Sequence, residues 1–321
     1  MAAASATSDY PRGNGTGGGG WTGAARALLL GLIVFALLRT ASLVLSPLEL
    51  GVDEAQYWLW STGFDFGYYT KPPLTSWIIG LFHGLFGHHE WAVRLPAPWL
   101  HLATSLVLWR AADWLAGPAA GWIAAIIWMT LPSIALGSFV ISTDTPLLLC
   151  WSAGVLALVG VLTGRLRERR GMLLAGGAFG AAMLAKYAAI YGLAGLALFV
   201  LATSVLSRDT ERQKVIGWRG LGLFALGMVA VASPNILWNL ANELTTVRHL
   251  GDNANLDLRS YSLAGSIGFL AAQFATAGPV VFALMFGILR TRRGDDAGLL
   301  LLCLSAPVIL DRKSTRLNSS H

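Results

Sequence analysis

Two adjacent carboxylates are the first residues able to do chemistry. Asp53 and Glu54 stand in Gly51-Val-Asp-Glu-Ala-Gln-Tyr-Trp-Leu-Trp60, just after a long apolar run. Such a pair at a membrane surface can activate a hydroxyl or hold a divalent cation. The plain alternative is a solvated helix start, with both acids complementing the N-terminal dipole. Lys71, in Tyr68-Tyr-Thr-Lys-Pro-Pro-Leu74, is fixed by the two prolines between interfacial aromatics. It suits an anionic head group, or equally a side chain snorkelling to lipid phosphates. Asp144, in Ser142-Thr-Asp-Thr-Pro146, reads as a helix N-cap, which does not exclude a catalytic role. Lys186 and Arg39 carry charge into apolar sequence. At a helix centre that costs about 2.5–3.5 kcal/mol, so such residues are usually functional or paired. Asn239, Arg248 and Arg259, following Pro234-Asn-Ile-Leu-Trp-Asn239, are candidates for phosphate or sugar contact, as are Tyr57 and Tyr69. His83, His88 and His89 have no convincing metal-ligand spacing and read as solvated surface histidines.

The elements that must position these groups are membrane helices. Of 321 residues, 55% are hydrophobic and only 12% charged, against about 25% charged in soluble domains. Mean hydropathy is +0.60, and 13 tryptophans, many near the ends of apolar runs, suit two membrane interfaces. The net charge of +6 comes in short clusters, unlike the broad basic face of a nucleic-acid binder. Cys150 and Cys303 both lie in apolar stretches, so neither a disulfide framework nor a zinc site is indicated. A hydrocarbon core needs about 20 apolar residues per helix. That predicts spans near 24–46, 97–115, 118–138, 145–163, 171–186, 188–206, 219–238 and 263–289, with a broken ninth at 297–310. Residues 47–95 are amphipathic and predict short helices lying in the interface.

Arginines set the orientation. Arg165, Arg167, Arg169 and Arg170 follow the fourth span, Arg208, Arg212, Lys214 and Arg219 the sixth, and Arg290, Arg292 and Arg293 the eighth. Basic loops after even-numbered spans imply a cytoplasmic N-terminus. The loops holding Asp53, Lys71 and Asp144 then face outward. Residues 1–22, rich in Ala, Ser and Gly, read as a disordered cytoplasmic tail. Residues 23–310 read as one transmembrane domain. Asp311–His321 resembles the in-frame translation of a common short-read sequencing adapter, eleven codons without a mismatch. The expectation is that this tail is an artefact and that the domain is cut off inside a span.

Six motifs in order then carry a resemblance. They are Asp53-Glu-Ala-Gln-Tyr-Trp-Leu-Trp60, Tyr68-Tyr-Thr-Lys-Pro-Pro-Leu74, Glu90-Trp-Ala-Val-Arg-Leu-Pro96, Ser142-Thr-Asp-Thr-Pro146, Ala185-Lys-Tyr187 and Ser233-Pro-Asn-Ile-Leu-Trp-Asn239. From about residue 26 to 310 the chain resembles the GT-C membrane glycosyltransferases that use polyprenyl-phosphate sugars. It looks nearest to bacterial relatives of protein O-mannosyltransferase and of the lipid A aminoarabinose transferase. The resemblance implies an all-α bundle with amphipathic helices in the first external loop, in the cell membrane. It implies transfer of a sugar from a polyprenyl-phosphate donor to an acceptor hydroxyl on a glycolipid, polysaccharide or protein, with inversion. Asp53 takes the part of the catalytic aspartate, joined by Asp144 and Glu54, and Lys71 and Lys186 meet the donor phosphate. The resemblance fixes no cofactor, and a divalent cation stands as a candidate. The aminoarabinose transferases carry an acidic residue just before the lysine where this chain has Thr70, which argues against a metal there and against aminoarabinose as the sugar. A lipid or sugar flippase is the alternative, but such transporters usually show internal repeats and broken midplane helices, and neither is clear here.

Overall fold

The computed structural model describes residues 23–206, 216–246, 248, 268, 271–272 and 296–310. Among them there is no strand. The helices are α1 (Gly23–Leu45), α2 (Val52–Ser61), α3 (Leu74–Phe86), α4 (Glu90–Arg94), α5 (Pro96–Ala116), α6 (Pro118–Thr130), α7 (Pro132–Gly137), α8 (Asp144–Leu162), α9 (Glu168–Ala185), α10 (Ile190–Leu206), α11 (Trp218–Ala241) and α12 (Asp296–Leu310), with a 3-10 turn at Tyr187–Ala189. The sequence-predicted spans within the described residues are mainly helical, the third being broken at Leu131, and of the one at 263–289 only 268 and 271–272 are described. Among the described residues, four segments are long and apolar enough to cross a bilayer alone: Gly23–Leu45, Asp144–Leu162, Tyr187–Val205 and Trp218–Ala241. The chain is a polytopic helical membrane protein.

Proline sets several helix starts. Pro96, Pro118 and Pro132 occupy first-turn positions, where a missing N–H costs nothing. Pro132 also divides the third predicted span. The 13 residues of α6 rise only about 20 Å, short of a hydrocarbon core of about 30 Å. The break leaves late carbonyls of α6 without helical donors. Arg39 answers one of them: Nη2 donates to the Met129 carbonyl at 2.7 Å and Nη1 to Ser138 Oγ at 2.9 Å. This first-span charge, 6% exposed, is therefore a staple from α1 to the α6–α7 break.

Among the described residues, three apolar clusters hold the bundle. The largest joins α8, α9, α10, α11 and α12 around Leu158, Phe179, Leu196, Phe224 and Leu300. A second joins α1, α5 and α6 around Ala36, Leu102 and Met129. The third, Tyr57, Ile79, Val93, Ala97 and Ile141, sits under the short helices. α9 and α11 touch backbone to backbone. A Cβ on Gly176 would overlap the Phe224 carbonyl, and one on Gly180 the Met228 carbonyl. This is the small-residue contact that lets membrane helices approach without side chains between them.

α8 rises about 28 Å, so its two ends belong to opposite ends of the bundle. Asp144 lies at one, beside the short helices. Exposed Arg165, Arg167, Arg169 and Arg170 lie at the other, where α11 also begins with exposed Arg219.

Candidate active site

The site is assembled from four chain segments. The first is α2. Asp53 lies exposed in its first turn, while its neighbour Glu54 turns inward and is 2% exposed. Arg94 grips Glu54 with both edges of its fork: Nε to Oε1 at 2.9 Å and Nη2 to Oε2 at 2.7 Å. Oε1 also accepts the Ile141 N–H at 3.0 Å, and Oε2 the Gly51 N–H at 2.9 Å. Four donors fill the roughly four lone-pair positions of a carboxylate. Glu54 therefore has no free lone pair for a proton or a cation. Neither a solvated helix start nor a metal-holding pair with Asp53 describes it. Among the described residues, no group of three or more His, Cys, Asp or Glu is arranged to hold a metal ion.

The second segment is the entry to α8. The helix cap position is held by Thr143, which makes no side-chain cap bond, and Asp144 is the first helical residue. The Asp144 carboxylate instead accepts from Lys186 Nζ at 2.8 Å, a pair with side chains 52% and 34% exposed. Lys186 ends α9 in extended conformation, φ −157° and ψ 130°, which turns its ammonium out of the apolar run. Tyr57 links the two acidic segments. Its phenol is pushed well above its ordinary value by burial, then by the nearby charges of Asp53 and Asp144, with the Thr143 hydroxyl pulling weakly the other way. One buried ring thus feels both carboxylates and packs beside Ile141.

The third segment is loop 62–73, which carries Lys71. Its fold is internal first. Tyr68 stacks on Trp60 with ring centroids 5.0 Å apart and donates to the carbonyls of Trp60 and Gly63; burial raises its phenol too. Trp77 Nε1 donates to Asp65 O at 2.8 Å. The fourth segment, α11 with the residues after it, then clasps the loop. Asn235 Nδ2 donates to Phe66 O and Thr246 Oγ1 to Tyr68 O, both at 2.7 Å. Gly67 lies so close to the Trp238 ring that a Cβ would overlap it. Tyr187, next to Lys186, donates to Asn235 Oδ1 at 2.7 Å and accepts from Asn239 Nδ2 at 3.0 Å. An unbroken chain of bonds therefore runs from the Lys186 segment to the Lys71 loop. Lys71 itself is half-buried, with no ion pair among the described residues. Close to it in sequence, the hydroxyls of Thr70, Thr75 and Ser76 are buried without hydrogen-bond partners among the described residues.

Asp53, Asp144, Lys71 and Lys186 thus sit on segments tied together at one end of the bundle. The other sequence candidates divide. Tyr57 and Asn239, 2% and 3% exposed, serve packing and the α11 clasp. Tyr69 is 61% exposed on the Lys71 loop. Arg248 is exposed and meets Glu243 at 3.6 Å, and Arg259 lies outside the described residues. His88 and His89 are exposed as expected, but both ring nitrogens of His83 are buried without hydrogen-bond partners among the described residues. The sequence reading gave Arg94 no role, although a lone arginine in Trp91-Ala-Val-Arg-Leu-Pro96 was itself a signal, since such a charge needs a partner.

Carboxylates and lysines are thus gathered at one end of a polytopic helical bundle. Residues 70–238 match the family of dolichyl-phosphate-mannose-protein mannosyltransferases. The chain belongs to that family. It is 37% identical over 297 residues to the lipid A galacturonosyltransferase RgtD of Rhizobium johnstonii, covering 89% of this chain. The chain spans 59% of that relative's length. Its fold is similar to ArnT of Cupriavidus metallidurans, crystallised in the apo state. The TM-score is 0.56 at 20% identity, over 92% of this chain and 61% of that one.

Proposed function

We propose that the chain is the catalytic part of a glycosyltransferase that moves a sugar from a polyprenyl-phosphate donor to an acceptor hydroxyl. The observation that carries the reading is the linkage of the Asp53, Asp144, Lys71 and Lys186 segments at one end of the bundle. Family membership and the galacturonosyltransferase relative support the same chemistry, and that relative's name favours a lipid A-type glycolipid over a protein as acceptor.

Asp53, exposed and unencumbered by the Arg94 fork, takes the proton of the acceptor hydroxyl. The hydroxyl oxygen attacks the anomeric carbon from the side opposite the phosphate. The bond from that carbon to the phosphate oxygen breaks, its electron pair leaves with polyprenyl phosphate, and the sugar inverts. The leaving phosphate gains negative charge, which preorganised cations stabilise most where water is scarce. Lys71 is free to serve, and the nearby hydroxyls of Thr70, Thr75 and Ser76 are unspent donors. Lys186 is already oriented by Asp144, so Asp144 acts through that ammonium as the phosphate approaches.

The reaction face is external and the N-terminus cytoplasmic, supported by the exposed arginines at the opposite end. A cysteine at Gly63 should react with an impermeant thiol reagent in intact cells, and one at Glu168 should not. The deciding assay uses full-length protein in detergent with labelled sugar on polyprenyl phosphate. Release of polyprenyl phosphate coupled to sugar transfer is expected. Movement of labelled lipid between leaflets of vesicles, without cleavage of the sugar–phosphate bond, would replace this reading with a flippase.

A further inference from the structure

Arg94 belongs to a motif that the reaction leaves without a role, yet it sits at a junction of the site. Its guanidinium uses four of five N–H groups. Two hold Glu54, while Nη1 donates to Leu48 O at 2.8 Å and Nη2 to Glu49 O at 2.7 Å. It thereby ties the segment leaving α1 to α2. Its own place is fixed by α4, which ends at Arg94, and by α5, which starts at Pro96. Glu54 then reaches across to the Ile141 N–H, 87 residues away. Ile141 lies in the irregular stretch 138–143 that leads to Asp144.

We propose that Arg94 is a positioning residue: acting through Glu54, it sets the spacing between Asp53 and Asp144. The proposal rests on the transferase reading above. Glu54 is the residue next to Asp53, and Ile141 stands three before Asp144, so a single carboxylate bridges the two acidic segments. The Arg94 fork fixes the rotation of the Glu54 carboxylate and keeps Oε1 on the Ile141 N–H. A lysine would supply the charge without the planar fork. Tyr57 fills the gap between the two segments, packed with Ile141 and Val93, so the distance is set by a rigid ring once the bridge closes.

The test uses full-length protein with Arg94→Lys and, separately, Glu54→Gln, whose amide NH₂ would meet an N–H donor. Turnover is normalised to folded, monodisperse protein. A misplacement of about 1 Å can cost roughly 10²-fold, so kcat should fall by about that factor while KM for the polyprenyl-phosphate sugar stays unchanged. Nitroxides on Val52→Cys and Val140→Cys, both at exposed positions, report the spacing directly, with Cys150 and Cys303 replaced by serine. Dipolar broadening that is sharp in the parent should become diffuse in both variants. Parent-like kcat in both variants would overturn the proposal. So would lost kcat with parent-like label spacing, which would return Glu54 to direct chemistry. If Arg94→Lys does not fold, Glu54→Gln decides by the same two readouts. If the parent transfers no sugar, the transferase reading fails, and the label spacing alone decides whether Arg94 holds the two segments.

Discussion

Two ion pairs stand at the same end of the bundle and are built for opposite purposes. Arg94–Glu54 is sealed, with side chains 6% and 2% exposed, and every lone pair of the carboxylate is spoken for. Lys186–Asp144 is open, at 34% and 52%, and rests on one bond of 2.8 Å. A buried pair with a saturated shell has nothing to exchange, so it can only fix geometry. An open pair can trade its partner for an incoming phosphate at little cost. A like contrast divides Asp53 from Glu54, adjacent in sequence: one carboxylate is exposed and the other is sealed.

The sharpest way to break this comparison is at Asp53. General-base catalysis typically contributes ~10²–10⁴-fold, so Asp53→Asn should lower kcat by roughly that factor. Binding of the lipid-linked donor, measured by titration, should persist. Near-normal transfer would leave Asp53 as a helix-end charge. Next comes stability. Arg94→Ala strands a buried carboxylate, a change that typically costs about 3–5 kcal/mol, whereas Lys186→Ala removes an exposed pair of about 0–1 kcal/mol. Thermal unfolding in one detergent should show a large drop for the first and almost none for the second. Equal drops would erase the distinction. Asp144→Asn should reduce kcat less than Asp53→Asn, because it disorders Lys186 without removing the base. Lys71→Ala should weaken donor use far more than Lys71→Arg, since a cation near the phosphate matters more than its shape; unchanged donor dependence would make Lys71 a lipid snorkel. The smallest effect is salt. Rising ionic strength should loosen the open pair, seen as faster modification of Lys186, and leave the sealed one untouched.

The helices were legible because apolar run length and proline placement are local signals. So was the short-helix character of 47–95, now α2, α3 and α4. Asp144 and Lys186 could be named singly, but not as a pair, since 42 residues separate them. For Glu54 the sequence left open a solvated helix start or a part beside Asp53, because its partners come from residues 94 and 141. Arg39 posed the right question, and its answer lay in the carbonyls freed at Pro132, nearly a hundred residues on. Long-range pairing decides such assignments, and sequence spacing does not carry it.

The glycine contact between α9 and α11 has one more effect. Lys186 tips α9, and Asn235 and Asn239 lie near the tip of α11, so both helices are levers whose working ends are the site. With carbonyls pressed against bare Cα atoms at Gly176 and Gly180, the two levers share a fulcrum with no play. A single methyl at Gly180, about 9 Å along the axis from Lys186, would pry the levers apart and swing the ammonium away from its station. Such a substitution would register as a kinetic defect although it touches no charged group.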